Sequence, residues 1–97
     1  MSAPKAPDGQ FTVLFFASSA SYTNKQHDFF YAPCFLSQVP NMLERRYPGI
    51  TEKILGSCAF TLNLDYVDME EEEIKDNLGL RVQSGDEVAI IPPVSSG

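Results

Sequence analysis

Basic residues are scarce in this chain: seven Lys and Arg stand against 13 Asp and Glu, a formal net charge of −6. Binding a phosphate backbone needs clustered cations, and these seven are scattered, so nucleic acid is set aside as a partner. Cysteine is limited to Cys34 and Cys58, with neither CxxC nor Cys/His spacing. That removes a disulfide framework, and it leaves metal and redox readings without support. Both thiols are expected as small buried or half-buried hydrophobes in a reducing compartment. Histidine occurs once, as His27 at the start of a strand-like segment. With no nucleophile or second catalytic group placed around it, it reads as a surface histidine rather than a general base. No apolar run approaches the roughly 20 residues a membrane span requires. Met1 to Gly9 is rich in Pro, Ala and Ser and lacks the basic start and hydrophobic middle of a secretory signal. These absences place the chain in the cytoplasm, away from membranes.

What is present is enough for one small core. Ninety-seven residues, 43% of them hydrophobic and 11% aromatic, make a single domain and argue against wholesale disorder. Residues 1–10 read as a flexible tail, 11–91 as the folded domain and 92–97 as an extended C-terminal tail. There is no internal repeat. The one biased segment, Asp68-Met69-Glu70-Glu71-Glu72-Glu73, reads as a solvated acidic loop; it lacks the alternating ligand spacing and glycine of a calcium loop, so no metal is assigned to it.

Phe11 to Ala17 is β-rich at every position and too short for a typical helix, so it reads as a buried strand. Ser18 to Asn24 reads as a polar stretch of turn formers. His27 to Ala32 supplies a second strand, antiparallel to the first because the connection is short. The period then changes: Leu36, Val39, Leu43 and Tyr47 fall at helical spacing, with Ser37 as N-cap and Pro40 in the first turn. Arg45 and Arg46 occupy the last turn, and Pro48-Gly49 ends the helix. A further helical turn is read at Ile50 to Leu55. Cys58 to Leu64 alternates, setting Phe60, Leu62 and Leu64 on one face of a strand, and Tyr66-Val67 forms a short strand end. Leu78 to Val82 pairs briefly. Ser84-Gly85-Asp86 is a turn, and Glu87 to Ile91 is an apolar strand expected at the centre of the sheet. A hairpin, one main helix across a mixed sheet and a nonpolar last strand suit an α+β roll of the ubiquitin-like β-grasp kind, with the first and last strands parallel.

The end of the chain is its most distinctive part. Pro92 and Pro93 cannot donate ladder hydrogen bonds, so the sheet must stop and the chain leave extended. From Pro92 to Gly97 the reach is at most about 20 Å. Beyond the prolines only Val94 has bulk; Ser95, Ser96 and Gly97 make a thin thread to an unhindered carboxylate. A carboxylate with a pKa of about 3.5 is a poor electrophile. It gains reactivity only when a partner converts it to a mixed anhydride that a nucleophile can open.

The string GDEVAIIPPVSSG resembles the signature end of the molybdopterin synthase small-subunit family, the sulfur carriers of molybdenum cofactor synthesis. Thr12 to Ala17 (TVLFFA), Leu43 to Gly49 (LERRYPG) and Ala59 to Val67 (AFTLNLDYV) extend the similarity. The resemblance implies a non-catalytic, sulfur-donating subunit that binds no cofactor itself. An E1-like adenylating and sulfurtransferase enzyme would use ATP to adenylate Gly97, and a sulfur donor would convert it to a thiocarboxylate. The tail, with Pro92 and Pro93 setting its direction and Val94, Ser95 and Ser96 lining the channel, would enter a large subunit that binds precursor Z. Two carriers in a heterotetramer would supply both dithiolene sulfurs. An apolar patch near the last strand would dock both partners in turn. The family usually ends in Gly-Gly; here Ser96 stands at the penultimate position, which keeps the reacting carboxylate and adds a side chain to the thread. Two other readings stand beside it: a ubiquitin-related modifier conjugated through Gly97, and a β-grasp interaction module with no covalent chemistry.

Overall fold

The first and last strands lie side by side and parallel. In the computed structural model, which describes residues 4–75 and 79–92, β1 (Gln10–Phe15) runs alongside β7 (Glu87–Ile91), with Val13 opposite Val88 and Phe15 opposite Ile90. The two most apolar strands take the two most enclosed places because each has a side chain to bury on both faces. β2 (His27–Tyr31) pairs antiparallel with β1 on one side, while β4 (Ala59–Leu62) and β5 (Asp65–Val67) extend the sheet on the other. The five-stranded order is β2-β1-β7-β4-β5. A separate two-residue ladder joins β3 (Cys34–Phe35) to β6 (Arg81–Val82). This is the expected β-grasp roll.

The main helix, α2 (Val39–Arg46), packs on one face of the sheet, and a helical turn, α3 (Ile50–Lys53), follows it. Leu36, Val39, Leu43 and Ile50 meet Phe11, Val13, Phe15, Phe60, Val88 and Ile90 in a single cluster of buried side chains. Tyr47 closes it edge-on to Phe15, with ring centres 5.7 Å apart. Ser37 is not the N-cap: it lies in a 3-10 turn, Leu36–Gln38, and α2 starts one residue after Gln38. Gln38 turns its Oε1 back onto the Phe35 N–H at 2.9 Å, so the orphan donor is met from inside the turn. Pro40 occupies the first turn as expected.

Three further expectations change. Ser18 to Asn24 is not only turns: Ser18–Thr23 forms a short helix, α1. Ser19 Oγ both accepts the Phe16 N–H at 2.9 Å and donates to the Phe16 carbonyl at 2.8 Å, while Thr23 Oγ1 donates to the Ser19 carbonyl. The hydroxyls that make such residues turn formers here brace a helix instead. The acidic run is not a loop either. Met69–Lys75 is a helix, α4, whose start is capped by Asp68 accepting the Glu71 N–H at 3.2 Å. Glu70, Glu71 and Glu72 sit in the first turn and Lys75 in the last, the order the helix dipole favours. Leu64, finally, does not share a core face with Phe60 and Leu62. Asn63 and Leu64 have φ of +49° and +75°, the two central positions of a tight β4–β5 hairpin, and Leu64 is 86% exposed. The proposed Leu78 to Val82 pairing is seen for Arg81 and Val82; Leu78 lies outside the described residues.

Cys34 and Cys58 are free and half-buried, and burial pushes the Cys34 thiol up to about 11 and the Cys58 thiol up as well. His27 is half-buried beside the Phe29 ring, 5.2 Å between centres.

Candidate functional site

The root of the C-terminal tail is fixed by the start and the flanks of β7. Gly85, at φ +86°, makes the turn into the strand and donates its N–H to the Gln10 carbonyl at 2.9 Å. Asp86 holds the same turn by accepting the Gln83 N–H at 2.8 Å. Asn63 reaches across from the β4–β5 hairpin: its N–H donates to the Glu87 carbonyl, its Oδ1 accepts the Glu87 N–H at 2.9 Å, and its Nδ2 donates to Asp86. Beyond this clamp β7 runs between β1 and β4, and Ile91 lies opposite Ala59 as the last paired residue. Pro92 follows, half-buried, and ends the ladder because it has no N–H to give. Pro93, Val94, Ser95, Ser96 and Gly97 lie outside the described residues.

The two faces of the sheet differ around this root. The inner face is under α2. On the outer face Thr12 is covered, because the segment that includes Pro4 and Ala6 crosses it: Thr12 Oγ1 donates to the Pro4 carbonyl at 3.1 Å, and Ala6 is buried. The half of the outer face beside β7 is open. Leu14, Phe16, Thr61, Leu64, Tyr66, Ala89 and Ile91, with Glu87 as the one charged side chain, line a shallow, largely apolar depression there. Phe16 is 45% and Tyr66 71% exposed. The alternation explains the patch: Phe11, Val13 and Phe15 point at the helix, so Leu14 and Phe16 must point away from it. Hydrophobic residues on both sides of β1 and β7 were the signal in the sequence. The contribution of Leu64 had no such signal, because it comes from the hairpin turn. A contiguous apolar patch of this kind is a mark of an interaction surface.

Among the described residues, no group of three or more His, Cys, Asp or Glu is placed to hold a metal ion, and no helix is long and apolar enough to cross a membrane. Among the described residues, the site offers a fixed root for the tail at Ile91 and Pro92 and, beside it, a largely apolar depression.

The sequence profile of the ThiS family matches residues 13–97. The chain belongs to the ThiS family. Within it, the chain is 50% identical over 97 residues, all of both chains, to the molybdopterin synthase sulfur carrier subunit of Pyrenophora tritici-repentis. Among solved structures it resembles SAMP1 from Haloferax volcanii, with a TM-score of 0.70 at 19% identity over 92% of this chain and 100% of that one. It also resembles a chain in the protein–protein complex of subunits 1 and 2 of the molybdopterin-converting factor from Helicobacter pylori. There the TM-score is 0.61 and the identity 26%, over 91% of this chain and 99% of the matched one.

Proposed function

We propose that this chain is the sulfur-carrier subunit of a molybdopterin synthase, and that Gly97 is its reacting residue. The observation that carries this reading is the 50% identity, over the whole of both chains, to a relative of that name. The structure adds a rigid root for the tail at Ile91 and Pro92, beside an open apolar face.

The Gly97 carboxylate attacks the α-phosphate of ATP on an E1-like activating enzyme, giving an acyl-adenylate and releasing pyrophosphate. A persulfide on the sulfur donor then attacks the acyl carbon and AMP leaves with the electron pair, giving an acyl disulfide; a second thiol attacks the donor-side sulfur, forming a disulfide on the donor and expelling the thiocarboxylate that stays on the chain. The loaded tail enters the large subunit, where precursor Z is bound, with Pro92 and Pro93 setting its direction and Val94, Ser95 and Ser96 passing along the channel. Two carriers in a heterotetramer deliver the two dithiolene sulfurs. The carrier binds neither ATP nor precursor Z itself, and the pathway runs in the cytoplasm. The bare face formed by Leu14, Phe16, Leu64 and Tyr66 docks the activating enzyme and the large subunit in turn.

The test is intact mass after incubation with the activating enzyme, ATP and a sulfur donor. The expected gain is about 16 Da, one oxygen replaced by sulfur, and it disappears when Gly97 is deleted. Absence of any gain, under conditions that load a known carrier, overturns the proposal. Attachment to lysines of other proteins instead would make the chain a modifier.

A further inference from the structure

Among the described residues β2 is an edge of the sheet with no strand outside it, and its middle is already occupied. Ala32 donates its N–H to the Gly9 carbonyl and Phe15 donates to the Gln26 carbonyl. With the register Phe11 opposite Phe30 and Val13 opposite Asp28, residues 26, 28, 30 and 32 bond inward to β1. The backbone groups of His27, Phe29 and Tyr31 therefore point outward from the sheet. Such a row is a template for another strand unless it is obstructed.

At Phe29, the centre of that row, both groups are taken by side chains. The Phe29 N–H donates to Asp28 Oδ1 at 2.8 Å, and the Phe29 carbonyl accepts from Arg46 Nη1 at 2.7 Å. The two side chains are joined to each other, with Arg46 Nη1 3.3 Å from Asp28 Oδ2. Each is held by a further contact. The Arg46 guanidinium lies over the Phe30 ring, 3.9 Å from its centre, and the Tyr47 hydroxyl donates to Asp28 Oδ2. Arginine held over an aromatic ring loses little freedom in keeping this position. Lys25 adds a second cation 3.6 Å from Asp28.

The surface so closed is complementary to itself. A two-fold axis through Phe29 would set two β2 strands antiparallel, each Phe29 N–H facing the other copy's Phe29 carbonyl. His27 would then oppose Tyr31 of the second copy, and the Phe29 rings would meet, giving aromatic cross-strand pairs along the outer face. The two groups that such pairing needs at its centre are the two that Asp28 and Arg46 hold. We infer that Arg46, positioned by Asp28 and Phe30, is a lock on the β2 edge that prevents this chain from pairing with a second copy of itself. Because both copies must open, the effect of the lock enters the dimer equilibrium twice.

The test compares self-association of the full chain, wild type and Arg46→Ala, by sedimentation equilibrium, with Arg45→Ala as an exposed neighbour outside the lock. Arg46→Ala is expected to dimerise at least about tenfold more tightly than wild type, a change of about one decade in Kd, and Arg45→Ala to behave as wild type. Adding Phe29→Pro to Arg46→Ala removes the outward N–H without touching the β1–β2 ladder, and should restore the monomer. A folded Arg46→Ala chain that associates no more than wild type overturns the inference. So does a dimer that Phe29→Pro leaves intact. Arg46→Met keeps the side-chain stem without a donor and, if the alanine variant fails to fold, carries the same expectations and the same refuting outcomes.

Discussion

Glu72 Oε1 accepts the backbone N–H of Leu80 at 2.7 Å. The central carboxylate of the acidic segment is thus a structural tie between α4 and the chain that enters β6, while Glu70, Glu71 and Glu73 face solvent. Its other oxygen meets Lys75 Nζ at 3.2 Å, and the side chain is only 4% exposed. Glu72→Ala would leave the Leu80 N–H without its partner, a loss of about 1–3 kcal/mol. Glu73→Gln, on the solvent side, should change stability by less than about 0.5 kcal/mol. Urea denaturation of the two variants measures the contrast, and equal effects would show that Glu72 is one more surface charge.

That tie also shows where the sequence could be read and where it could not. The central strands were legible because β1 and β7 carry apolar side chains on both faces, a pattern that only an interior position rewards. α2 was legible from the spacing of Leu36, Val39 and Leu43. α4 was not, because composition marks a run of glutamates as solvated. What makes it a helix is the order of charges along its axis and a hydrogen bond to a residue eight positions on. Leu64 escaped for a related reason: period-two counting continues through Asn63, whereas the chain reverses there. The tail root was visible in Pro92, but its clamp through Asn63 and Asp86 joins residues 23 apart and has no local signature.

Gly49 and Tyr22 are coupled at the end of α2. Gly49 has φ +91°, and a Cβ there would stand 2.6 Å from the Tyr22 hydroxyl, which donates to the Pro48 carbonyl. The Gly49 N–H also donates to Glu44, whose carboxyl is held below its usual range by this bond and by the Thr51 N–H. Gly49→Ala therefore meets both backbone strain and a displaced side chain, a loss of about 1–3 kcal/mol. In a Tyr22→Phe background the same substitution should cost less, because the crowding atom is gone. Thermal melts of the four proteins give the coupling; additive effects would assign the whole cost to the backbone.

Leu64 is a leucine held at φ +75° with 86% of its surface exposed, at the rim of the bare face beside β7. Its conformation suits glycine, so Leu64→Gly should stabilise the fold by about 1 kcal/mol. On the proposed function the same change removes an apolar contact from the docking face. Binding to the large subunit should weaken by about tenfold or more. Calorimetric titration against the large subunit, with melts of the free chain, tests both directions. A variant that is more stable and binds as well as the original would remove Leu64 from the interface.

Asp28 and Tyr47 give the fold its pH dependence at both extremes. Burial pushes the Asp28 carboxyl upward, but the Tyr47 hydroxyl, the Phe29 N–H and Arg46 together outweigh it and hold the group below its ordinary value. Its stabilising effect is therefore present above the unfolded value of about 3.9 and is lost as pH falls through it towards the lower folded value. Tyr47 moves the other way: burial, then the hydrogen bond to Asp28, raises its hydroxyl. That contribution is intact below the unfolded value of about 10 and disappears as pH rises beyond it. Tyr47→Phe should cost about 1–2 kcal/mol at neutral pH, the loss of a hydrogen bond to a charged acceptor. The difference from wild type should narrow below about pH 4, as Asp28 takes up its proton, and again above about pH 10. Denaturation curves across that range decide the matter, since a gap that stays constant with pH would mean that Tyr47 acts through its packing on Phe15 alone.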